Sequence, residues 1–376
     1  MSSKKEIAAQ GNGEVRAKSE QLALFEILDT SDSEYSNTIE LYDALPKFVW
    51  SSTEVDKTKN NVITRQYKSR GNNYEVKLKP AVVERRNPGT GETVSALVYP
   101  GPREEIIEEA LRKFAVNGHA FESEGETKEV GVFFTVSMLR KELARTGHAY
   151  SHQEVLEALD VMSSAVVEVG LATAKGKGRD TVRGNMLNNL MLTSRDQYQE
   201  NSSTKCYATF HPLVTQGIRR QQFRLYDYSV SMGLKSHLAR YMFKRMSHYW
   251  AQAALNAPYE FKLVTFLSST PRGVSGKMKD DLRAVRNALK ALVEGDVILP
   301  EWEETLIKDP NDKRVTINAE FALLPTETFV KHMMKANKRH KDITAHIELA
   351  GVRRTLLAGS VPSDELEPET DTVFTD

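Results

Sequence analysis

Four basic residues, Lys279, Arg283, Arg286 and Lys290, recur at intervals of four, three and four. Wound at 100° per residue they form one stripe beside an apolar face of Met278, Leu282, Val285, Leu289 and Leu292. Guanidinium and ammonium groups so spaced can make charge-assisted hydrogen bonds to phosphates and base edges, and a helix fits a groove about 12 Å wide. A merely solvated helix face carries the same residue types, so the surroundings must decide. Arg272 and Lys277 lie just before the stripe, and Lys313 and Arg314 fall in a turn after it. A second basic group, Lys175, Lys177, Arg179 and Arg183, lies in and just after a Gly-rich stretch and is either a phosphate contact or a solvated hairpin tip.

Catalytic alternatives fail on spacing. Arg272-Gly-Val-Ser-Gly-Lys-Met278 lacks the first glycine of a phosphate-binding loop, and Met278 stands where Ser or Thr would hold magnesium. His148, Tyr150 and His152 straddle a turn into a helix cap and lack the acidic ligands that a metal-dependent nuclease needs. Lys175-Gly-Lys-Gly has no strand-glycine-helix frame for a dinucleotide. No Cys/His cluster has metal spacing, so neither cofactor nor metal is expected, and the chain is read as a binder rather than an enzyme.

The elements that must position these residues follow from periodicity. Tyr74, Val76 and Leu78 alternate with charges, and Asn87-Pro-Gly-Thr-Gly91 turns the chain toward Val94–Tyr99. Gly101-Pro102 opens a helix with Glu104 and Glu105 in its first turn. A short strand, Gly131–Phe134, precedes a helix ending at Arg145. Ser151 and Glu154 then have capping-box spacing before Val155, Leu159 and Met162. Val166–Thr173 and Leu187–Ser194 read as a hairpin around the second basic group. The order recurs downstream: a helix over 233–250, a strand over 259–263, a short helix, the striped helix 275–294, and a hairpin of 297–307 with 315–321. The expected fold is α+β, two tandem winged-helix domains preceded by a disordered N-terminal arm. Its expected bounds are 1–60 for the arm, 61–215 and 216–325 for the domains, and 326–376 for a basic helix with an acidic tail.

Net charge is +0, which excludes a uniformly basic nucleic-acid binder, but the charge is segregated. Between Gln216 and His248 there are seven Arg/Lys against Asp227 alone, whereas the last sixteen residues hold six acids and no base. The helix of the first unit that corresponds to the striped one, Ser151–Ser164, displays Glu154, Glu157 and Asp160, which phosphates would repel. Cys206 stands alone, no apolar run is long enough for a bilayer, and the first residues lack an apolar signal region. A cytoplasmic, membrane-free protein is expected.

Within the polar arm, Gln21, Leu22, Leu24 and Phe25 form an apolar island with no local core to enter. It resembles the Gln-Leu-x-Leu-Phe peptide with which bacterial proteins dock on the replicative sliding clamp; the alternative is a helical turn packing on the body. With the two winged helices and the segment Gly233-Leu-Lys-Ser-His-Leu-Ala-Arg-Tyr-Met-Phe243, the chain resembles plasmid replication initiators of the TrfA type. These are related to Rep initiators that bind iterons, the short direct repeats at an origin. The resemblance runs from about Gln21 to Phe321. It implies binding to double-stranded origin DNA, local melting, recruitment of the replicative helicase, host initiator and sliding clamp, and a homodimer that is inactive. A double winged-helix transcriptional repressor and an origin-nicking replication enzyme remain as other readings.

Leu24→Ala combined with Phe25→Ala should weaken clamp binding by at least about two orders of magnitude, since each buried side chain contributes about 1.5–3 kcal/mol. DNA affinity should not move. Surface plasmon resonance on immobilised clamp, with a melting curve as control, checks this. A lowered melting temperature would instead place both side chains in the core.

Overall fold

The computed structural model describes residues 35–50, 61–69, 71–86, 89, 91–123, 128–172, 179–193, 206–220 and 222–358. Gln21–Phe25 lies outside them. The chain enters with strand β1 (Tyr35–Ile39) and the short helix α1 (Glu40–Ala44), followed by β2 (Ile63–Ser69), β3 (Asn72–Lys79), β4 (Ala81–Arg86) and β5 (Thr93–Val98). Next come α2 (Pro102–Phe114), β6 (Ala120–Glu122), β7 (Val130–Phe134), α3 (Val136–Arg145) and α4 (His152–Ser164). Then follow β8 (Val166–Ala172), β9 (Arg179–Asn185), β10 (Leu187–Met191), β11 (Cys206–Phe210), α5 (Pro212–Arg219) and β12 (Phe223–Asp227). The remainder is α6 (Tyr228–Gly233), α7 (His237–Tyr249), β13 (Tyr259–Lys262), α8 (Leu263–Ser268), α9 (Met278–Glu294), β14 (Glu303–Lys308), β15 (Thr316–Leu323) and α10 (Glu327–Ala358).

The mixed α+β architecture is as expected, and the repeat is visible in the sheets. In one, β7 pairs with β11 and β11 with β10; in the other, β13 pairs with β15 and β15 with β14, all antiparallel. In both, the strand that precedes a pair of helices joins the second strand of the hairpin that follows them. One expectation is corrected here. The basic loop does not join Val166–Thr173 to Leu187–Ser194. It joins β8 to β9, which extend a separate sheet ordered β2-β3-β8-β9, while β10 goes to β11. The hairpin β8–β9 is an insertion between α4 and the strands that complete its unit.

The arm expected through residue 60 is also corrected. The segment from Tyr35 to Trp50, inside those bounds, belongs to the folded body: Ile39, Tyr42, Leu45 and Phe48 are buried, and β1 pairs with β12. Trp50 packs against both main hydrophobic clusters, one built around α2 to α4 and the other around α7 to α9. Arg65 holds this segment in place by donating to the Phe48 carbonyl (2.7 Å).

Helix α2 explains how the halves join. Pro102 sits in its first turn and Glu104 Oε2 accepts from the Gly101 N–H (2.8 Å), while Arg112 and Lys113 close the last turn, all in accord with the helix dipole. Yet the helix is not a surface helix. Glu104, Glu105, Glu108, Glu109, Arg112 and Lys113 are all buried. Each is matched, as buried charge must be. Arg112 donates to Asp43 (2.5 Å) and to the Asn37 carbonyl (2.7 Å). Lys47 lies 3.6 Å from Asp43 and 3.7 Å from Glu108, which accepts from the Tyr42 hydroxyl. Glu109 accepts from Tyr226 and from Lys244 of α7, and Glu105 accepts from the Trp50 indole (3.1 Å). Burial alone would raise the Asp43 carboxyl, but the Arg112 guanidinium and the Lys47 ammonium hold it well below the usual range. The same balance, burial against Glu109, leaves Lys244 raised.

His211 gives the fold a pH dependence. It is fully buried and stacks on Tyr42 (5.4 Å between centroids). Its Nε2 donates to the Val167 carbonyl (3.3 Å) and its Nδ1 accepts from the Leu213 N–H (3.2 Å), capping α5. Both nitrogens are committed to the neutral ring, and burial pushes its pKa down to about 4. The unfolded chain, with a value near 6.5, binds a proton that the folded chain refuses. The contribution is therefore intact above about pH 6.5 and declines as pH falls toward 4. Urea titrations at pH 7 and pH 5 should differ by about 2 kcal/mol from this group, and His211→Gln should remove that part of the difference.

Candidate nucleic-acid interface

Helix α9 forms because its apolar residues fall on one face and its ends are tied down. Leu282, Val285, Ala288, Leu289 and Leu292 are buried. At the C-terminus the Gly295 N–H returns to Ala291 (3.0 Å) and the Val297 N–H to Leu292 (2.9 Å). At the N-terminus the carboxylate of Asp281, 1% exposed, accepts from Arg272 (2.6 Å) and from the Ser275 N–H (3.0 Å). The turn from Pro271 to Lys277 is thereby folded onto the first turn of the helix, with Gly273 at φ +67°, where a side chain would be strained.

The opposite face carries the stripe. Lys279, Arg283, Arg286, Asn287 and Lys290 are exposed. Lys279 and Lys290 have no carboxylate partner among the described residues, nor has Lys277 at the N-cap. Arg283 donates to Asp280 one turn earlier (2.8 Å), an exposed pair of small energetic weight. Arg286 is held differently, with both Nε (2.9 Å) and Nη2 (2.5 Å) on the carboxylate of Glu304 in β14. The Glu304 hydrogen bonds outweigh desolvation and raise the Arg286 guanidinium further. Beside the helix stands the hairpin β14–β15. Its turn is closed by the Asp309 N–H to the Val315 carbonyl (2.9 Å) and by Asp309 and Asp312 side chains accepting from Asn311 and Arg314 N–H groups. Lys313 and Arg314 are exposed at the tip, with Val315 and Ile317 exposed just behind.

Lys277, Lys279, Arg283, Arg286 and Lys290 thus lie at the exposed side of one helix, and the Arg286–Glu304 pair ties that helix to the hairpin whose turn carries Lys313 and Arg314. Arg272 is different: it is the counter-ion of a buried carboxylate, three-quarters covered, and its first duty is to the fold. Asn287, on the stripe by helical angle and able to pair with adenine, was legible from its position but is not basic.

The second basic group lies elsewhere. Lys175 and Lys177 are outside the described residues. Arg179 opens β9, and Arg183 on the same strand donates to Glu168 (2.6 Å). Cross-strand register adds Lys77 and Lys79, 3.5 and 3.6 Å from the same carboxylate, so three cations surround one acid on the β2-β3-β8-β9 sheet. Only strand pairing could have shown this, since Lys77 and Arg183 are over a hundred residues apart. On α4, Glu154 serves the capping box (2.7 Å to the Ser151 N–H), Glu157 pairs with Arg103 (3.1 Å), and Asp160 with Glu129 lines a concavity of about 590 Å³.

The basic run from Gln216 to His248 is not the surface patch that its composition suggests. Arg240 and Lys244 are buried, and Arg245 lies over the Tyr249 ring (5.0 Å). Arg219 reaches Glu122 (3.0 Å) and Arg224 reaches Asn337 (2.6 Å). His148 donates to the Met232 carbonyl (2.9 Å). Among the described residues no group of three or more His, Cys, Asp or Glu could hold a metal ion, and no helix is long and apolar enough to cross a membrane.

No family model and no curated protein matches the chain. Solved structures similar to it include the crystal structure of selenomethionine derivatives of domains 2 and 3 of RctB, at a TM-score of 0.44 and 9% identity, covering 76% of this chain and 96% of that one. A second crystal structure of RctB domains 2–3 is similar at a TM-score of 0.41 and 10% identity, over 76% and 97%. The Pi initiator protein in complex with iteron DNA is similar at a TM-score of 0.36 and 11% identity, over 59% of this chain and 91% of that chain.

Arg272→Ala should destabilise the protein by about 3 kcal/mol, the low end for a broken buried pair because a quarter of the arginine stays in water. Lys279→Ala should change stability by less than about 0.5 kcal/mol. Paired urea unfolding curves separate the structural cation from the surface one.

Proposed function

We propose that the chain is a replication initiator that binds direct repeats in double-stranded origin DNA. In this reading both repeated units are winged helices, α9 is the reading helix of the second, and the β14–β15 turn is its wing. The observation that carries the proposal is the division of α9 into a buried apolar face and an exposed face of Lys279, Arg283, Arg286, Asn287 and Lys290, tied through Arg286–Glu304 to a hairpin with a basic turn. A helix fixed to its domain on one side and cationic on the other is what major-groove docking requires. The first unit, acidic on α4, would touch phosphates through the sheet that carries Lys77, Lys79 and Arg183 and through the loop with Lys175, Lys177 and Arg179.

The origin-specific part of the reading is supported by the Gly233–Phe243 segment and by Gln21, Leu22, Leu24 and Phe25. With them come local melting of the origin, recruitment of the host helicase, host initiator and sliding clamp, a homodimer, and a cytoplasmic address. The protein acts by binding and catalyses no reaction of its own.

Fluorescence anisotropy on a duplex selected from a random pool, across a salt series, tests the DNA assignment. Each neutralised phosphate should add about 0.9 to the magnitude of the log–log slope. Arg283→Ala should cost about 1–3 kcal/mol on the selected duplex if it reads a base, whereas Lys313→Ala should weaken all sequences alike. A slope near zero would end the proposal. Tight, salt-dependent binding to one isolated operator without melting of flanking DNA would favour a repressor.

A further inference from the structure

Arg286 is the one cation of the α9 stripe whose fork is occupied from another element. Its Nε and Nη2 both donate to Glu304, at 2.9 and 2.5 Å, and Glu304 is 17% exposed where Arg286 is 44%. The geometry has a definite chemical meaning. A guanidinium has two edges that can make paired hydrogen bonds, the side edge (Nε with Nη2) and the end edge (Nη1 with Nη2). Here the side edge is spent on the carboxylate. The end edge remains, aimed away from β14, and its two parallel N–H groups match the O6 and N7 acceptors of guanine. The carboxylate also cancels the charge that would otherwise draw Arg286 to any phosphate within reach.

We infer that Glu304 is a specificity-determining residue: it presents the end edge of Arg286 to a guanine in the bound site and withholds that arginine from the sugar–phosphate backbone. It acts through Arg286 as a positioning residue and need not touch DNA. Among the described residues no such buttress stands behind Lys279 or Lys290, whose contacts would be those of point charges. The inference rests on the DNA-binding reading of α9 and adds to it both a base and a source of discrimination.

The test uses full-length protein and three duplexes: one selected by the wild-type chain, the same duplex with 7-deazaguanine at each guanine in turn, and an unrelated duplex of equal length. One 7-deaza substitution should weaken wild-type binding by about tenfold, the loss expected from half a bidentate contact. Glu304→Gln should bind the unrelated duplex more tightly and cut the ratio of selected to unrelated affinity by about tenfold. Its salt slope on unrelated DNA should steepen by about 0.9, one added phosphate contact. In an Arg286→Ala background Glu304→Gln should change none of these. An unchanged ratio in Glu304→Gln overturns the inference, as does an effect that persists without Arg286. Absence of wild-type binding to any duplex would instead strike at the reading of α9 itself.

Discussion

The buried ionic lattice around α2 is the constraint on which the rest of the molecule depends. The four glutamates, one arginine and one lysine that α2 buries cannot be taken out of water unless each charge finds a partner of the right sign and geometry. Apart from Arg103 of the helix itself, which pairs with Glu104, those partners come chiefly from three places: Asp43, Lys47 and Tyr42 from the entering segment, Tyr226 from β12, and Lys244 from α7. Apolar packing between the halves would tolerate sliding; a set of short charge-assisted hydrogen bonds does not. The lattice therefore sets the register of one half against the other, and the entering segment acts as the pin that both share. Trp50 extends this by placing its ring between the two apolar clusters while its N–H goes to Glu105.

That register reaches the basic face. Helix α7 contributes Lys244 to the lattice on one side and Leu238, Met242 and Met246 to the cluster that holds α9 on the other. The direction of the α9 stripe relative to the first unit is thus decided at α2, far from any groove. Within the second unit, Asp281 and Arg272 fix where α9 begins, and Glu304 fixes how one of its arginines is presented. Carboxylates, which repel phosphate, are in this way the residues that aim the cations.

The sequence disclosed local features well because their physics is local. Ser151 with Glu154 is a capping box in the structure, and the apolar period of α9 is its buried face. What it hid depended on distance along the chain. Pro-Arg-Glu-Glu-Ile-Ile-Glu-Glu reads as a solvated amphipathic helix because nothing nearby announces Asp43, Lys47 or Lys244. The strand at Leu187 was assigned to the wrong partner because β8 and β9 form a hairpin of their own, and hydrophobic alternation does not say which strand pairs with which. Cations were the hardest to read. Arg272, Arg286 and Lys279 are one residue class in a string of letters, but a structural counter-ion, a buttressed fork and an exposed point charge in space.

The pairing of β1 with β12 joins Tyr35 to Asp227 and Ile39 to Phe223. A ribosome adding about 5–20 residues per second needs roughly ten to forty seconds to deliver the second strand after the first. During that interval Tyr42 and Leu45 have no finished core, and Asp43 and Glu109 lack part of their counter-charge. The segment that pins the mature protein together is thus made well before the strand that locks it. Contacts this distant slow folding, because the intervening loop must close before they contribute any stability. Assembly of the nascent chain therefore waits on its own synthesis, because β1 has no partner strand until β12 has been made.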